Sequence, residues 1–226
     1  MKKVLFLVAT LALICTPAMA QNWDEAIDGG ADAGIHNAAQ VTTGVSTLTT
    51  ISGSLDQAGG DHTDCYQVQV VDVTAFYATS DPGIDPLAVV GETDTRLWVW
   101  DATGALIISG NDDSPGITGL LSVVADPTSG PIAYSATPTN PVVTPLVDGT
   151  NYVVCYGYFP NDPDDAVGEE LIDLGTFEAL NGPDPAAGPF AAYEDAGTDA
   201  PAGYTIALMG AGTSDVPVEL QSFSIE

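Results

Sequence analysis

A carboxamide and two carboxylates stand in consecutive positions of this chain, at Asn111, Asp112 and Asp113. Such side chains supply the oxygen ligands that Ca²⁺ prefers, and the ion takes about six to eight of them. The same residue types are also ordinary turn formers, because their side chains bond to nearby backbone N–H groups. The motif therefore predicts either part of a calcium site or a structural turn.

Further carboxylates would have to complete such a site. No segment carries the helix–loop–helix calcium pattern, so a site would be assembled from separate loops at one end of the fold. A second acidic cluster occupies residues 161–165. We expect calcium as the cofactor, with these ligands: Asn111, Asp112, Asp113, Asp94, Asp61 and Asp64.

Two tryptophans, Trp98 and Trp100, share one face of a predicted strand with Arg96, because side chains alternate between the two faces of a strand. If the indoles are exposed, they form a flat platform on which sugar rings can stack, and Trp98 and Trp100 become candidate ligand-binding residues. If they are buried, they are the apolar side of a central strand, which is the commoner role of large aromatic residues. The pattern leaves both interpretations open.

Catalytic residue sets are poorly supported. A Ser–His–Asp relay needs a histidine, and the chain has two, His36 and His62, with no nucleophile-elbow motif beside either. No glycine-rich loop leads into a helix, which argues against nucleotide binding. Some pair of carboxylates always exists among 31 acidic residues, so glycoside hydrolysis has no specific support. We expect a protein that is not an enzyme.

The first 20 residues have the three parts of a secretory signal peptide. Lys2 and Lys3 precede an apolar run at 4–14, and residues 18–20 form a small–x–small cleavage site. The run is shorter than the roughly 20 residues that span a bilayer. We therefore expect export to the periplasm or the exterior, removal of residues 1–20, and no membrane span in the mature chain.

Removal of that segment leaves Arg96 as the one basic residue. Its single positive charge stands against 31 acids, which gives a formal charge of −30. Nucleic acid and anionic lipid need Lys or Arg to neutralise their phosphates, so we expect neither as a partner.

Two cysteines lie beyond the predicted signal peptide, Cys65 and Cys155, each in a strand-like segment. An even number of cysteines in an exported protein predicts a disulfide, because compartments outside the cytoplasm are oxidising. The alternative is a pair of buried free thiols. A catalytic cysteine is disfavoured, because no basic residue flanks either sulfur to stabilise a thiolate.

Short apolar runs separated by Gly, Pro, Asp and Asn predict an all-β fold. The candidate strands lie at 48–55, 65–71, 75–79, 95–101, 105–109, 119–124, 132–135, 151–158 and 204–209. About nine strands with turns between them favour a jelly-roll-like β-sandwich. Residues 159–203, rich in Pro, Gly and Asp, are predicted to form a long surface excursion with one weak helical patch at 167–174.

Several motifs occur in an order that resembles a known family. They are Trp23-Asp24-Glu25-Ala26, Asp61-x-x-Asp64-x-Tyr66, Asp94-Thr95-Arg96-Leu97-Trp98-Val99-Trp100-Asp101, and Gly149-Thr150-Asn151-Tyr152. The set is similar to secreted bacterial β-sandwich domains related to the pre-peptidase C-terminal domain. The resemblance implies a jelly-roll module, either accessory to a secreted enzyme or freestanding at a surface, and some relatives bind calcium or extracellular polymers.

We therefore divide the chain into a signal peptide (1–20), a β-sandwich domain (21–210) and a short C-terminal tail (211–226). We expect a secreted, non-catalytic module that binds an extracellular polymer or another surface protein, or serves as a structural part. One alternative is carbohydrate binding through Trp98 and Trp100. Another is a subunit of an extracellular fibre or surface layer, in which the tail self-associates with a sheet edge of another protomer.

Overall fold

The computed structural model describes residues 20–29, 39–44, 47–56, 60–90, 94–115, 121–134, 136–141, 143–173, 178–193 and 202–214. The described residues do not include residues 1–19 of the predicted signal peptide. They also do not include His36 or the tail from residue 215 onward. Within the described ranges the chain is almost entirely β, as predicted, with 13 strands and one short helix. No helix in these ranges is long and apolar enough to cross a membrane.

The strands have the following bounds: β1 (Gln21–Asp24), β2 (Gln40–Val41), β3 (Thr47–Leu55), β4 (Thr63–Val70), β5 (Tyr77–Thr79), β6 (Val89–Val90), β7 (Thr95–Asp101), β8 (Ile107–Asn111), β9 (Val123–Ala125), β10 (Thr150–Tyr158), β11 (Pro163–Asp165), β12 (Phe190–Tyr193) and β13 (Ala202–Thr213). Helix α1 (Glu25–Asp28) is a single turn after β1. The Asp24 side chain caps it by accepting from the Ala26 N–H.

Eight of the nine predicted strands correspond to β3, β4, β5, β7, β8, β9, β10 and β13. The ninth, at 132–135, is wrong for its described part, because residues 132–134 form no strand. Tyr134 instead packs against the core from a loop, and its hydroxyl donates to the Val123 carbonyl at 3.1 Å. Tyr134 therefore covers part of the core without joining the sheet.

Two layers arise because β13 changes partners along its length. Its first half lies between β3 on one side and β5 and β6 on the other, whereas residues 211–213 lie beside β4. Gly210 marks the change with a φ of +63°, and its carbonyl accepts the N–H groups of Val71 and Asp72. The predicted domain boundary after residue 210 falls inside this strand, which continues to Thr213.

One layer consists of β4, β10, β7 and β8, with β2 beside β4; the other consists of β1, β3, the first half of β13, β5, β6 and β9. The main hydrophobic core lies between them, which makes the fold an all-β sandwich. Alternate side chains of β4 and β10, among them Tyr66, Val68 and Val154, meet Ile51 of β3 and Ile206 of β13 in this core. All five are fully buried.

A second apolar layer covers the opposite face of β4, β10, β7 and β8. It contains these residues: Cys65, Trp98, Trp100, Ile107, Val153, Cys155, Leu171, Ile172 and Tyr193. Its outer members come from the predicted excursion, which carries the antiparallel pair β11 and β12. Tyr193 lies 5.7 Å from Trp98 and Phe190 lies 5.4 Å from Trp100, between ring centres. The excursion is therefore a cover for this face of the sheet.

The helix predicted at 167–174 is wrong for its described part, 167–173. Gly168 has a φ of +82°, which no right-handed helix accommodates. The Asp165 carboxylate accepts from the N–H groups of Val167 and Glu169, so that the chain forms a turn. The apolar residues Leu171 and Ile172 that suggested a helix pack instead against the second core.

Cys65 and Cys155 are bonded to each other, which confirms the predicted disulfide. The two residues stand directly opposite in the register of β4 and β10, and both are fully buried. The bond closes a loop with a sequence separation of 90. In the chain-entropy model a loop of this size stabilises the fold by about 4–5 kcal/mol. It also fixes the register of the two strands on which both cores are built.

Candidate functional site

Arg96 is buried at the start of β7, with only 4% of its side chain exposed. Its Nη2 donates to Asp112 Oδ2 at 3.3 Å, and its Nη1 contacts Asp162 Oδ2. The guanidinium carbon lies 4.6 Å from the centre of the Phe159 ring. This single cation therefore joins β7 to the residue after β8 and to the first part of the excursion.

Two carboxylates against one guanidinium leave an excess negative charge in an apolar setting. Burial raises the pKa of Asp162 to about 7 and that of Asp112 to about 6, although Arg96 opposes both shifts. Burial would lower the pKa of Arg96, but the charges of Asp162 and Asp112 outweigh it and raise the value. Arg96 therefore stays charged, and a proton on Asp162 near neutral pH balances the group.

Residues 111–113 form a turn that is held by hydrogen bonds and an ion pair within the protein. Asn111 Oδ1 accepts from the Val123 N–H at 2.9 Å, and Asn111 Nδ2 donates to two backbone carbonyls. Asp112 directs its carboxylate at Arg96. The Asn111 amide oxygen and Asp112 Oδ2 are thus used within the protein, whereas Asp112 Oδ1 has no hydrogen-bond partner.

The six predicted calcium ligands do not converge. Asp94 lies near Arg96 and Asp113; burial raises its pKa, Arg96 lowers it and Asp113 raises it, with a net upward shift. Asp61 and Asp64 belong to a separate cluster, at the end of the inner core. Within the ranges that the structure describes, no group of three or more His, Cys, Asp or Glu side chains is arranged to hold a metal ion.

Four oxygen-bearing side chains are linked in that separate cluster. The Tyr204 hydroxyl lies 2.8 Å from Asp64 Oδ2 and 2.7 Å from the Tyr66 hydroxyl, which in turn lies 3.3 Å from Glu25 Oε2. Gly53 leaves the room for this arrangement, because a side chain there would collide with Glu25 and Tyr204. The cluster joins the first turn of helix to β3, β4 and β13.

The charge of this cluster depends on how many protons its hydroxyl and carboxyl groups carry. The Tyr204 hydroxyl donates to Asp64 and the Tyr66 hydroxyl to Glu25, and a hydrogen bond between the Asp64 and Glu25 carboxyls needs a third proton, carried by one of them. Burial raises the pKa of Asp64 to about 8, and the charges of Asp61 and Glu25 raise it too. The pKa of Asp61 is also raised, first by burial and then by Glu25. Asp64 is therefore the carboxyl that holds the third proton at neutral pH.

Trp98 and Trp100 are completely buried, so the exposed sugar-stacking platform is wrong. The covering rings, Phe190 and Tyr193, come from a segment that is distant in sequence. The prediction of Trp98 and Trp100 as ligand-binding residues fails for the same reason, since neither indole has a face open to a sugar.

An open apolar groove of about 530 Å³ lies beside the end of β8. It is lined by Ala105, Leu106, Ile107, Leu171, Pro183, Asp184, Ala187, Gly188, Pro189 and Phe190. A smaller depression of about 210 Å³ adjoins it, lined by Gly168, Glu169, Glu170, Asp173 and Asp184. Asp184 borders both, so an apolar surface and an acidic surface meet there.

The sequence analysis missed this groove. Leu106 lies inside the strand predicted at 105–109, where an apolar residue is usual, so its type gave no signal of an exposed groove. Seven of the ten lining residues come from the excursion, whose composition indicates only a loop. Their convergence on β8 depends on how the excursion folds back over the sheet, which no local pattern indicates.

No protein-family model, curated protein or solved structure matches this chain. Three features of the described residues thus bear on function: the Arg96 group, the Asp64 cluster and the groove. The Arg96 group is buried and serves the fold, whereas the Asp64 cluster borders an open depression of about 260 Å³ at Glu25. The groove, at about 530 Å³, is the larger of these two surfaces that a partner can reach.

We expect replacement of Asp64 by Asn to flatten the dependence of stability on pH. The folded Asp64 keeps its proton up to a pKa of about 8, whereas an unperturbed Asp has a pKa of 3.8. The folded state thus binds more protons between these values, so wild-type stability falls as pH rises through this window. The Asn variant removes this contribution, on the order of a few kcal/mol. Urea unfolding from pH 5 to pH 9 measures it.

Asp148→Asn is the matched control, because Asp148 is an exposed carboxylate and Asn keeps an acceptor for the Val73 N–H. This control should keep the wild-type slope. If Asp64→Asn shows the wild-type slope as well, Asp64 does not hold the proton.

Proposed function

We propose that this protein is a non-catalytic β-sandwich module that acts outside the cytoplasm, by binding a partner or as a structural part. The observation that carries the proposal is the buried Cys65–Cys155 bond between two apolar layers. Such a bond forms and persists in an oxidising compartment, and it makes a rigid scaffold. The signal-peptide pattern of residues 1–20 supports the same location.

The use of acidic side chains supports a structural role for them. Asp126 Oδ1 accepts from the backbone and the hydroxyl groups of Thr128 and Ser129, and its Oδ2 accepts from the Leu146 N–H. Burial tends to raise the pKa of Asp126, but these bonds lower it overall. A carboxylate held in this way is a poor general acid or base at neutral pH.

The partner in this proposal is an extracellular polymer or another surface protein. A relationship to the pre-peptidase C-terminal domain family is part of the proposal and rests on the ordered motifs of a match that runs from about Trp23 to Met209. Carbohydrate binding through Trp98 and Trp100 is not retained, because both indoles are buried. Self-association through the tail is a proposal that concerns residues 215–226, outside the described part of the chain.

Export and oxidation test the proposed location. We expect the full chain, produced in a bacterium, to leave the cytoplasm with Cys65 and Cys155 protected from iodoacetamide after denaturation. A variant without residues 2–20 should stay inside with both thiols alkylated, as measured by intact mass. The Cys65→Ser/Cys155→Ser variant is the reference for the mass measurement, because its chain beyond residue 20 has no thiol that iodoacetamide can alkylate. A full chain that stays in the cytoplasm with Cys65 and Cys155 both alkylated would contradict the proposal.

Calcium stays in the proposal, and Asp61 and Asp64 are the predicted ligands at which it is tested. The carboxylates of Asp61, Asp64 and Glu25 repel one another, and a bound cation would relieve this repulsion as a proton does. In addition, Asp64 Oδ1 has no hydrogen-bond partner. We expect calcium at pH 8 to raise the melting temperature relative to chelator, and Asp61→Asn to reduce the rise. Asp148→Asn should leave the rise unchanged. Identical melting temperatures with calcium and with chelator would contradict the proposal that calcium binds this protein.

A further inference from the structure

We propose that the groove beside β8 docks a cationic amphipathic peptide segment, with apolar side chains in the groove and Lys or Arg side chains on the adjoining acidic depression. This inference rests on the proposed function, because it names the class of partner that such a binding module would take. Its basis is the junction of two surfaces of different chemistry at Asp184.

The apolar half is held open toward solvent. Leu106 is 67% exposed at the β7–β8 turn. Asp101 fixes that turn: its Oδ1 accepts from the N–H groups of Ala105 and Leu106, and its backbone N–H donates to the Leu106 carbonyl at 2.8 Å. The Leu106 side chain therefore stays at the groove, and a partner gains apolar burial without first reordering the turn.

The opposite wall is equally fixed. Phe190 meets Trp100 edge-on and lies 5.2 Å from Tyr193 between ring centres. Beneath the groove, Ile107 and Leu171 are buried members of the second core. The groove is thus the open margin of a packed apolar layer, and its shape exists before any partner arrives.

The acidic half is tied to the same framework. The Asp184 N–H donates to the Leu171 carbonyl at 2.8 Å, so the chain that carries Asp184 is bonded to the chain that forms the floor. Asp165 accepts from the Glu169 N–H at 3.0 Å and from the Gly188 N–H at 2.8 Å. These bonds hold the carboxylate-bearing turn beside the groove.

The negative charge of this surface determines which class of partner the groove can bind. The chain has three basic residues; two are in the predicted signal peptide, and the third, Arg96, is buried between two aspartates. A second mature copy would therefore bring acids and no exposed Lys or Arg to this surface. Nucleic acid and anionic lipid would be repelled. A partner chain with its own cations is complementary to the acidic half, and apolar side chains alternating with those cations match the other half.

The test uses the mature protein with its disulfide intact and a fluorescent ten-residue peptide of alternating Leu and Lys. Fluorescence anisotropy at 150 mM salt should report binding of this peptide and none of a Leu/Glu peptide. Leu106→Ser should weaken binding about fivefold or more, and so should Glu169→Gln/Asp184→Asn. The Asn at 184 keeps the acceptor for the Ala186 N–H, so the turn is preserved.

Matched controls separate the groove from the general attraction of an acidic protein for cations. Leu87→Ser removes a leucine that is 53% exposed elsewhere. Asp72→Asn/Asp148→Asn removes two charges and keeps acceptors for the Thr74 and Val73 N–H groups. Both controls should bind like the wild type.

Two results would overturn the docking site: equal weakening by the two charge-removing pairs, or no effect of Leu106→Ser in a protein that melts normally. Either result would leave the export and oxidation experiment untouched. Conversely, a chain that binds the peptide at the groove yet stays reduced in the cytoplasm would contradict the proposed location and leave the docking site in place.

Discussion

Scarcity of positive charge constrains this structure more than any other property. Each buried acid must be neutralised, and the chain does this in three ways. Arg96 pairs with Asp112 and Asp162, and a proton on Asp162 near neutral pH completes the balance; backbone and hydroxyl groups donate to Asp126; a proton neutralises Asp64. Since a buried and unpaired charge is strongly destabilising, the arrangement of loops at the sandwich ends follows from where these neutralising groups can reach.

The Arg96 group also connects the core to the surface that a partner would use. Asp162 lies at the beginning of the excursion, so its contact with Arg96 holds that segment on the face that carries Trp98. Once the excursion covers the tryptophans, Phe190 becomes one wall of the groove. The docking surface is therefore a consequence of how the outer core is closed, and the disulfide beneath it keeps the supporting strands in register.

Local sequence patterns were sufficient to predict the strands, but they were insufficient to predict how the side chains of the candidate site are arranged. The predicted strand at 95–101 has the bounds of β7, because its alternation is regular and turn residues flank it. The roles of Trp98 and Asn111 could not be predicted, because an exposed and a covered tryptophan, or a calcium turn and a structural turn, have the same local sequence. The contact of Tyr66 with Tyr204 spans 138 positions, and no periodicity indicates it.

Urea unfolding of Arg96→Met at neutral pH tests the central claim, that one buried cation holds the acidic chain together. Removal of one partner of a buried ion pair costs about 3–5 kcal/mol, because the remaining charges lose their compensation. We predict a loss of this size, and a substantial recovery in Arg96→Met/Asp112→Asn/Asp162→Asn, which leaves no carboxylate unpaired. An Arg96→Met protein as stable as the wild type, or a triple variant no more stable than Arg96→Met, would contradict the claim.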